Sequence, residues 1–363
     1  MTLHIFNPEH DIALASGLSN FTAPHAGRQL RHDLGFLPAV WAEEGDVVLV
    51  DDVEQAQREW RKLVHRANTL LGSGSLLRPN PQFAPAKLPV CSDQTTGIDP
   101  WGWNSALRAE LLRRGVREQL MPTLPQLHTI RELSHRRTAA RLLPTLRIEG
   151  TVGEAFECRE ADEVERLLQQ YGQLVMKAPW SSSGRGLRFL AVGRTPFSMQ
   201  ARWFQNVVAA QGCVMVEPYY NKVKDFGMEF YSDGEGGISY LGLSLFHTAN
   251  GAYTGNILAT ESTKRSMISA YLTECLLDNV REKICSGLSA IFNGKYRGPF
   301  GVDMMVCGSQ NNDRFLLHPC VEINLRRTMG HVALALSPND DDVCRVMRID
   351  YTDNYYKLRI NRL

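Results

Sequence analysis

Three side chains with complementary chemistry occupy alternate positions near the carboxyl end of this chain. Glu322, Asn324 and Arg326 supply a carboxylate, an amide and a guanidinium within residues 320–329. Alternate side chains of an extended strand point to the same face, so these three would line one surface. The residues between them are apolar and are expected in the core: Val321, Ile323 and Leu325.

A second acidic segment upstream could complete a metal site. Asp303 stands in the apolar run 301–306, which also predicts a strand. Oxygen ligands suit a hard ion such as Mg²⁺, and a guanidinium suits a phosphate beside it. The alternative is an ordinary half-buried strand with a solvated polar face, which Glu322, Asn324 and Arg326 alone do not exclude.

A lysine and a loop of small residues could bind phosphate groups. Lys177 follows the apolar residues 174–176, and a loop rich in serine and glycine comes after it, at 180–186. Lysine offers a point charge, and the hydroxyls and backbone N–H groups of such a loop can close over phosphate oxygens. The order of a P-loop is absent, and no Gly-x-Gly-x-x-Gly follows the first strand. Neither a P-loop nor a dinucleotide-binding fingerprint is therefore indicated.

Size and charge place the chain among ordinary globular proteins. Its 363 residues, 44% hydrophobic and 22% charged, suffice for two or three domains. A formal net charge of +1 gives no argument for nucleic acid binding, which usually demands a basic domain or stripe. Basic residues gather at 131–141, where we expect a solvated helix face.

Cysteine usage and hydropathy indicate the compartment. Eight cysteines are scattered without a Cys-x-x-Cys pair, which argues against a zinc site or a disulfide framework. No basic-then-apolar leader opens the chain, and no run of eighteen uncharged apolar residues occurs. We therefore expect a cytoplasmic protein with reduced thiols and no membrane partner.

The elements that must position these residues begin with an α/β region. Apolar runs at 3–6 and 47–50 predict strands, and helix-compatible stretches follow them. Strands that alternate with helices favour a mostly parallel sheet. Asn104 is expected to cap a helix at 105–114. The first domain boundary is expected between 120 and 145.

The following region predicts antiparallel strands and one long helix. Strands are expected at 174–179 and 213–216, a helix lies between them at 198–211, and antiparallel strands are expected within 226–258. The long helix is indicated by apolar residues at four-residue spacing: Ile268, Leu272, Leu276, Val280, Ile284 and Leu288.

In this order the motifs resemble those of the ATP-grasp family. The matching segments are Val175-Met176-Lys177, Ser182 to Gly186, Val216 to Tyr220, Met228-Glu229-Phe230, Gly298 to Asp303 and Glu322 to Arg326. The resemblance implies an ATP-grasp fold with α+β lobes, preceded by an amino-terminal α/β domain with a parallel sheet. The implied domains are 1–140 on the substrate side, 145–218 as the small lobe with a lid loop, and 219–363 as the large lobe with the metal site.

The resemblance also implies a role for each matched residue. Lys177 would contact the α- and β-phosphates of ATP, Arg326 would steady the transferred phosphoryl group, and Glu229 would bind the ribose hydroxyls. The lid would comprise Ser182, Ser183, Gly184, Arg185 and Gly186; the hinge that meets adenine would comprise Glu217, Pro218, Tyr219 and Tyr220; and one or two Mg²⁺ ions, or Mn²⁺, would be held by Asp303, Glu322 and Asn324. Pro218 departs from this role because it lacks a backbone N–H donor.

The implied activity is that of an ATP-dependent ligase, which joins a carboxylate to an amine through an acyl phosphate and releases ADP and phosphate. Two alternatives remain open: kinase-type phosphoryl transfer to a small molecule, and a non-catalytic, ATP-binding regulatory protein. The expected partners are a small-molecule or peptide carboxylate, an amine and, as in many proteins of this architecture, a second copy of the chain.

The substrate side is less defined by the sequence. His10 and Asp11 follow the first strand, where α/β proteins bind ligands, so they could contact substrate or merely cap the next helix. Trp101 and Trp103 could form an aromatic wall or simply pack. Further candidates, for an anionic substrate, are Lys222, Lys224, His247, Tyr253 and Asn256.

Overall fold

The amino-terminal part of the chain forms a parallel sheet flanked by helices, which confirms the α/β prediction for this region. The computed structural model describes residues 1–72, 81–86, 94–181, 186–249, 252–308 and 314–363. The first elements are β1 (Thr2–Ile5), α1 (His10–Ser16), α2 (His25–Leu34), β2 (Val47–Val50), α3 (Val53–Leu70), β3 (Gln82–Pro85), β4 (Gly97–Pro100) and α4 (Ser105–Arg113). The strand order is β3-β2-β1-β4, and every neighbouring pair is parallel. The carboxyl ends of β1 and β4 are therefore adjacent, and the segments that follow them meet.

Two helices connect this sheet to the rest of the chain. They are α5 (Leu124–Leu133) and α6 (Arg137–Leu146). Leu127 of α5 and Leu142 of α6 belong to the same apolar core as Phe226 and Val280, far ahead in the chain. Residue 140, where the first domain was expected to end, lies inside α6, and the apolar side chains of both helices pack in a core shared with later residues. Arg131 of α5 also donates to the Leu14 carbonyl of α1 at 2.7 Å.

A small antiparallel sheet comes next. Its elements are β5 (Phe156–Cys158), α7 (Ala161–Tyr171), β6 (Gln173–Lys177), β7 (Leu187–Ala191), α8 (Ala201–Gln211) and β8 (Val214–Pro218). The strand order is β5-β8-β6-β7, with antiparallel neighbours. Lys177 ends β6 directly opposite Leu187, which begins β7. The loop between these strands therefore starts and finishes at the same end of the strand pair.

A larger antiparallel unit follows, in the strand order β10-β9-β13-β14. The elements of this part of the chain are β9 (Asn221–Ser232), β10 (Ile238–Ser244), β11 (Phe246–Ala249), β12 (Ala252–Leu258), α9 (Glu261–Ser269), α10 (Glu274–Phe292), β13 (Gly298–Gly308), β14 (Phe315–Asn324) and α11 (Met329–Leu336). Of these strands, β11 and β12 belong to a different sheet. Apolar faces of α10 and of the sheet form the main core, which includes Phe230, Ile284 and Phe300.

The single long helix predicted across 268–288 is wrong. The chain leaves α9 after Ser269 and starts α10 only at Glu274. Thr273 caps the second helix, since its hydroxyl oxygen accepts the Leu276 N–H at 3.3 Å. The buried residue of the first turn is consequently Leu277 rather than Leu276.

The carboxyl end of the chain returns to the amino-terminal part. β15 (Arg345–Thr352) and β16 (Tyr355–Arg362) complete a sheet in the order β11-β12-β15-β16. Met347 and Leu358 of this sheet share an apolar core with Leu34 and Trp60. In the part of the chain that the structure describes, no helix combines the length and apolar character needed to cross a membrane.

A bulge interrupts β14 just ahead of the polar residues. Its pairing with β13 shifts so that residues 319–321 contain the extra length, and Pro319 lies there without an N–H to contribute to the ladder. The predicted alternation therefore fails at Val321, which is half-buried, whereas Ile323 and Leu325 lie in the core as predicted.

Candidate active site

The three predicted metal ligands lie on one face of the larger sheet. Asp303 on β13 is directly opposite Glu322 on β14, and Asn324 is opposite Gly301. Paired residues of antiparallel strands point to the same face, so the oxygen-bearing side chains converge. The Asn324 amide donates a hydrogen bond to Asp303, with Nδ2 and Oδ2 3.1 Å apart.

Negative charge at this face is incompletely neutralised. Burial raises the pKa of Asp303 to about 8, and repulsion from Glu322 and Glu229 acts in the same direction. Burial also raises the pKa of Glu322, although the Arg136 charge opposes it. Within the described residues, no group of three His, Cys, Asp or Glu side chains is arranged to hold a metal ion. The candidate set has two carboxylates and one amide, and its excess charge fits a divalent cation.

Arg326 lies beyond the end of β14, yet its side chain reaches the same face. Its Nη2 donates to Asn324 Oδ1 at 2.9 Å. Its Nε and Nη2 also donate to the two carboxylate oxygens of Asp11, at 2.8 and 2.7 Å. The guanidinium thus joins the candidate metal ligands to a residue of α1 that is 315 positions away in the sequence.

A buried arginine from the segment expected to form a solvated helix face contacts one of the candidate metal ligands. Arg136 is 9% exposed, and its Nη2 donates to Glu322 Oε2 at 2.7 Å. Its Nη1 donates to the Ala178 carbonyl at 3.1 Å and to Ser181 Oγ at 3.3 Å, where the loop after β6 begins. The expectation for residues 131–141 is therefore wrong at this position.

The sequence did contain a signal for Arg136. It precedes α6 and stands three, seven and ten residues ahead of Ala139, Leu143 and Leu146, which are all buried. That spacing places one side of a helix in the core, so an arginine in line with it is expected to be buried as well.

Lys177 is held in a buried ion pair. Its Nζ lies 2.6 Å from Glu217 Oε2, and the two residues are 7% and 6% exposed. A buried pair is costly to break unless another charge replaces one partner, and a phosphate group could replace the carboxylate. Gly186, at the far end of the predicted lid, packs so closely on Ser181 that a Cβ would overlap it. Four lid residues lie outside the described residues: Ser182, Ser183, Gly184 and Arg185.

The predicted hinge begins at Glu217, the partner of Lys177, and continues to Tyr220. Pro218 ends β8 opposite Leu174, and Tyr219 uses its backbone N–H on the Gln173 carbonyl at 3.0 Å. The Tyr220 ring packs against His318, with the ring centroids 5.4 Å apart. Neither Pro218 nor Tyr219 has a backbone N–H to spare, so an adenine bound here would be recognised through other groups.

Glu229 does not fit the ribose role. Glu229 and Asn221 of β9 pair with Gly301 and Gly308, which are seven residues apart on β13, because β9 is irregular between Lys222 and Lys224. Seven strand positions correspond to about 23 Å. The adenine and ribose of one nucleotide are much closer than this, so a nucleotide at the hinge would leave Glu229 out of reach. Strand pairing instead places Glu229 opposite Gly301, on the face that holds Asp303.

One oxygen of Glu229 is buried without a donor. Oε2 lies 3.0 Å from His331 Nδ1, but that nitrogen accepts the Thr328 N–H at 3.1 Å and so has no hydrogen to give. Among the described residues, Oε2 has no hydrogen-bond partner. Gly330 of α11 leaves the space that this carboxylate fills, because a Cβ at Gly330 would overlap it. Glu229 therefore adds to the negative charge near Asp303, whose pKa it helps to raise.

The substrate-side candidates have different surroundings. His10 is buried, its Nδ1 lies 3.2 Å from Asn104 Nδ2, and a Cβ on Gly102 would lie 2.6 Å from that nitrogen. Burial lowers the pKa of His10 to about 4, so the imidazole is neutral and fixed in orientation. Asn104 also caps α4 as predicted, accepting the Leu107 N–H at 2.9 Å. Neither His10 nor Asp11 caps α1, whose N-cap is Glu9.

The two tryptophans pack in the core. Trp101 is 5% exposed and meets the Phe6 ring edge-on at 5.0 Å, and Trp103 packs at the margin of two apolar clusters. Of the two interpretations offered for these tryptophans, the structure thus supports packing rather than an aromatic wall for substrate.

The remaining candidates fall into two groups. Lys222, Lys224 and His247 line a cavity of about 670 Å³, although Lys222 is already paired with Asp225 at 2.7 Å. The others are joined in a separate network, in which the Tyr253 hydroxyl donates to Asn256 Oδ1 at 2.5 Å. The structure does not bring these five residues together.

Known proteins resemble this chain in fold. No family model matches the sequence, and no curated protein matches it. Among solved structures, the biotin carboxylase of Campylobacter jejuni in a complex with β,γ-ATP aligns with a TM-score of 0.52 at 12% identity, over 98% of this chain and 77% of that one. The N5-carboxyaminoimidazole synthetase of Staphylococcus aureus, complexed with ADP, aligns with a TM-score of 0.49 at 12% identity, over 97% and 83%. The chain has the ATP-grasp fold, in which a parallel-sheet domain precedes the two lobes.

Proposed function

We propose that the protein is an ATP-dependent ligase that joins a carboxylate to an amine and releases ADP and phosphate. The observation that carries this proposal is the convergence of oxygen ligands and cations at one place. Asp303, Glu322 and Asn324 share a face, and Arg136 and Arg326 each contact one of these three side chains. Lys177 also lies near enough for its charge to oppose the raised pKa of Glu322. A fold shared with a biotin carboxylase that binds a β,γ-ATP ligand is in keeping with this proposal.

The proposed chemistry proceeds in two displacements. The substrate carboxylate attacks the γ-phosphorus of ATP, the bond to the β-phosphate oxygen breaks, and ADP leaves. The amine then attacks the acyl carbon of the acyl phosphate, inorganic phosphate departs, and the amine loses a proton. Both steps depend mainly on positioning and on neutralising the charge of the phosphoryl group.

The basic side chains have separate tasks in this scheme. When ATP binds, the Lys177 ammonium group donates hydrogen bonds to phosphate oxygens as well as to Glu217. Arg326 stabilises the charge of the transferred phosphoryl group. Arg136 contacts both Ser181, where the loop after β6 begins, and the Glu322 carboxylate, so it couples the start of this loop to the proposed metal ligands. Exclusion of water protects the acyl phosphate from hydrolysis.

The metal ligands in this proposal are Asp303, Glu322 and Asn324. The pKa values of both carboxyl groups are raised because the groups are buried close together. One or two Mg²⁺ ions bound between them would stabilise their ionised forms. When bound, the ions would supply charge neutralisation at the phosphates.

The proposed substrates are a small-molecule or peptide carboxylate and an amine. The decisive experiment incubates the protein with Mg-ATP and mixtures of both, and detects ADP and a condensed product by mass spectrometry. Lys177→Ala should abolish the product, whereas Lys62→Ala, an exposed lysine on α3, should not. A stable phosphorylated product that needs no amine would favour a kinase, and tight ATP binding without turnover would favour a regulatory protein. The expectation of a homodimer is tested by light scattering.

A further inference from the structure

Two consecutive arginines after β14 each form an ion pair with an aspartate of the amino-terminal part. Arg326 pairs with Asp11 through two hydrogen bonds, and Arg327 donates through Nη2 to Asp99 Oδ2 at 2.6 Å. Their other contacts differ. Arg326 also donates to Asn324, while Arg327 lies over the Trp41 ring at 4.5 Å. The first pair is thus connected to the candidate metal ligands, and the second belongs to the packing between the two parts of the chain.

We propose that Asp11 is a positioning residue for Arg326. This inference rests on the proposed function, because there Arg326 stabilises the transferred phosphoryl group. Asp11 does not touch the phosphoryl group itself; it fixes the guanidinium that does. The amino-terminal domain then contributes more than substrate contacts, since phosphoryl transfer requires this carboxylate to be in place.

The hydrogen bonds of Arg326 carry the argument. A guanidinium has five N–H groups. Asp11 accepts one from Nε and one from Nη2, Asn324 accepts the other from Nη2, and the Arg327 carbonyl accepts one from Nη1 at 3.1 Å. Among the contacts of the described residues, one N–H on Nη1 is left for a phosphoryl oxygen.

The geometry of the Asp11 contact makes it suited to orient the arginine. Two parallel bonds from a carboxylate fix both the position and the plane of a guanidinium, which a single bond cannot do. The pair is largely buried, with side chains 16% and 19% exposed, so screening by water is weak. Asp11 also has no capping bond to α1 that would otherwise explain its place.

The test compares two probes that differ only at the phosphoryl position, ADP and ADP–aluminium fluoride, each with Mg²⁺. Calorimetric titration measures how much more tightly each variant binds the phosphoryl mimic. Asp11→Asn should lose about tenfold or more of that preference, because bonds between charged groups contribute at about this level, while the affinity for ADP stays within about twofold. Asp99→Asn, at the neighbouring pair, is the matched control and should keep the full preference while lowering the melting temperature.

Two further variants separate positioning from other roles. Asp11→Glu retains the charge and should lose a smaller part of the preference, which keeps the test available where Asp11→Asn does not fold. Asp11→Asn combined with Arg326→Lys should be no worse than Arg326→Lys alone, since a residue that acts through Arg326 has nothing left to position.

The outcomes are distinguishable. If Asp11→Asn binds ADP–aluminium fluoride as the wild type does, or if its effect multiplies with that of Arg326→Lys, Asp11 does not position Arg326. A direct contact of Asp11 with substrate would produce the first of these results together with lost turnover. A wild-type protein that binds neither probe would instead contradict the proposed function.

Discussion

Arg136 and Glu322 form an ion pair that connects the loop after β6 to the metal face. Arg136 Nη2 and Glu322 Oε2 are 2.7 Å apart, and their side chains are 8% and 23% exposed. The same guanidinium holds Ser181, the last described residue before the predicted lid. One side chain therefore contacts both Ser181 and the candidate metal ligand Glu322, although it belongs to neither β13 nor β14.

Arg136→Gln is expected to lower ADP formation about a hundredfold or more, because removal of one partner leaves the Glu322 charge uncompensated and releases the start of the lid. Arg141→Gln is the matched control, since Arg141 lies exposed on α6. A coupled assay of ADP release under saturating Mg-ATP measures both variants. Equal rates for the two would contradict the role of Arg136.

Above pH 8, where Asp303 is ionised, Asp303→Asn is expected to raise thermal stability without metal and to remove the stabilisation by metal. The asparagine relieves repulsion among Asp303, Glu322 and Glu229, whereas the cation that would compensate this repulsion loses a ligand. Melting temperatures in EDTA and in Mg²⁺ or Mn²⁺ test both statements. Asp342→Asn, an exposed surface change, should behave as wild type. An undiminished metal effect in Asp303→Asn would show that the ion binds elsewhere.

Gly330→Ala is expected to destabilise the protein. Alanine would ordinarily stabilise a helix relative to glycine, but a Cβ at this position overlaps the Glu229 carboxylate and meets Ser244 Oγ. Gly27→Ala is the control, since Gly27 also lies in a helix, and its Cβ would meet Glu9 at an ordinary 3.5 Å. Denaturant titration should show a loss for Gly330→Ala only. Adding Glu229→Ala should recover part of that loss, and no recovery would argue against the close packing.

Local patterns in the sequence predicted much of the fold because the physical cause was itself local. The cap at Asn104, the end of β8 at Pro218 and the shared face of Glu322 and Asn324 all depend on neighbours a few residues away. The break at Thr273 was missed although its cap is equally local, because a regular apolar spacing outweighed one hydroxyl.

The contacts that complete the site could not be predicted from local sequence patterns. Asp11 and Arg326 are 315 residues apart, and Arg136 and Glu322 are 186 residues apart, so only the folded chain brings them together. The misplaced role of Glu229 had a different cause. A motif gives the type of residue on a strand, but the distance along that strand to the hinge follows from the register.

His4 lies between two carboxylates in the amino-terminal sheet and should make stability depend on pH. Its Nδ1 is 3.0 Å from Asp99 Oδ2, and its Nε2 is 3.0 Å from Asp46 Oδ2. Burial lowers the pKa of His4, but the hydrogen bonds and charges of Asp99 and Asp46 outweigh it and hold the pKa above the usual 6.5. Arg327, which also bonds Asp99, is the further charge that faces this group.

The sign of the effect follows from proton binding. The folded state holds the His4 proton more tightly than the unfolded state, so protonated His4 stabilises the fold fully below pH 6.5, and this stabilisation is lost as the pH rises through the folded pKa. The wild type should therefore lose more stability than His4→Gln between pH 6.5 and alkaline buffer, as measured by urea titration across that range. His65→Gln, at an exposed position on α3, should keep the wild-type slope. If His4→Gln loses stability with the same slope, the pH dependence arises from another group, and the His4 proton has no part in holding Asp46 and Asp99 together.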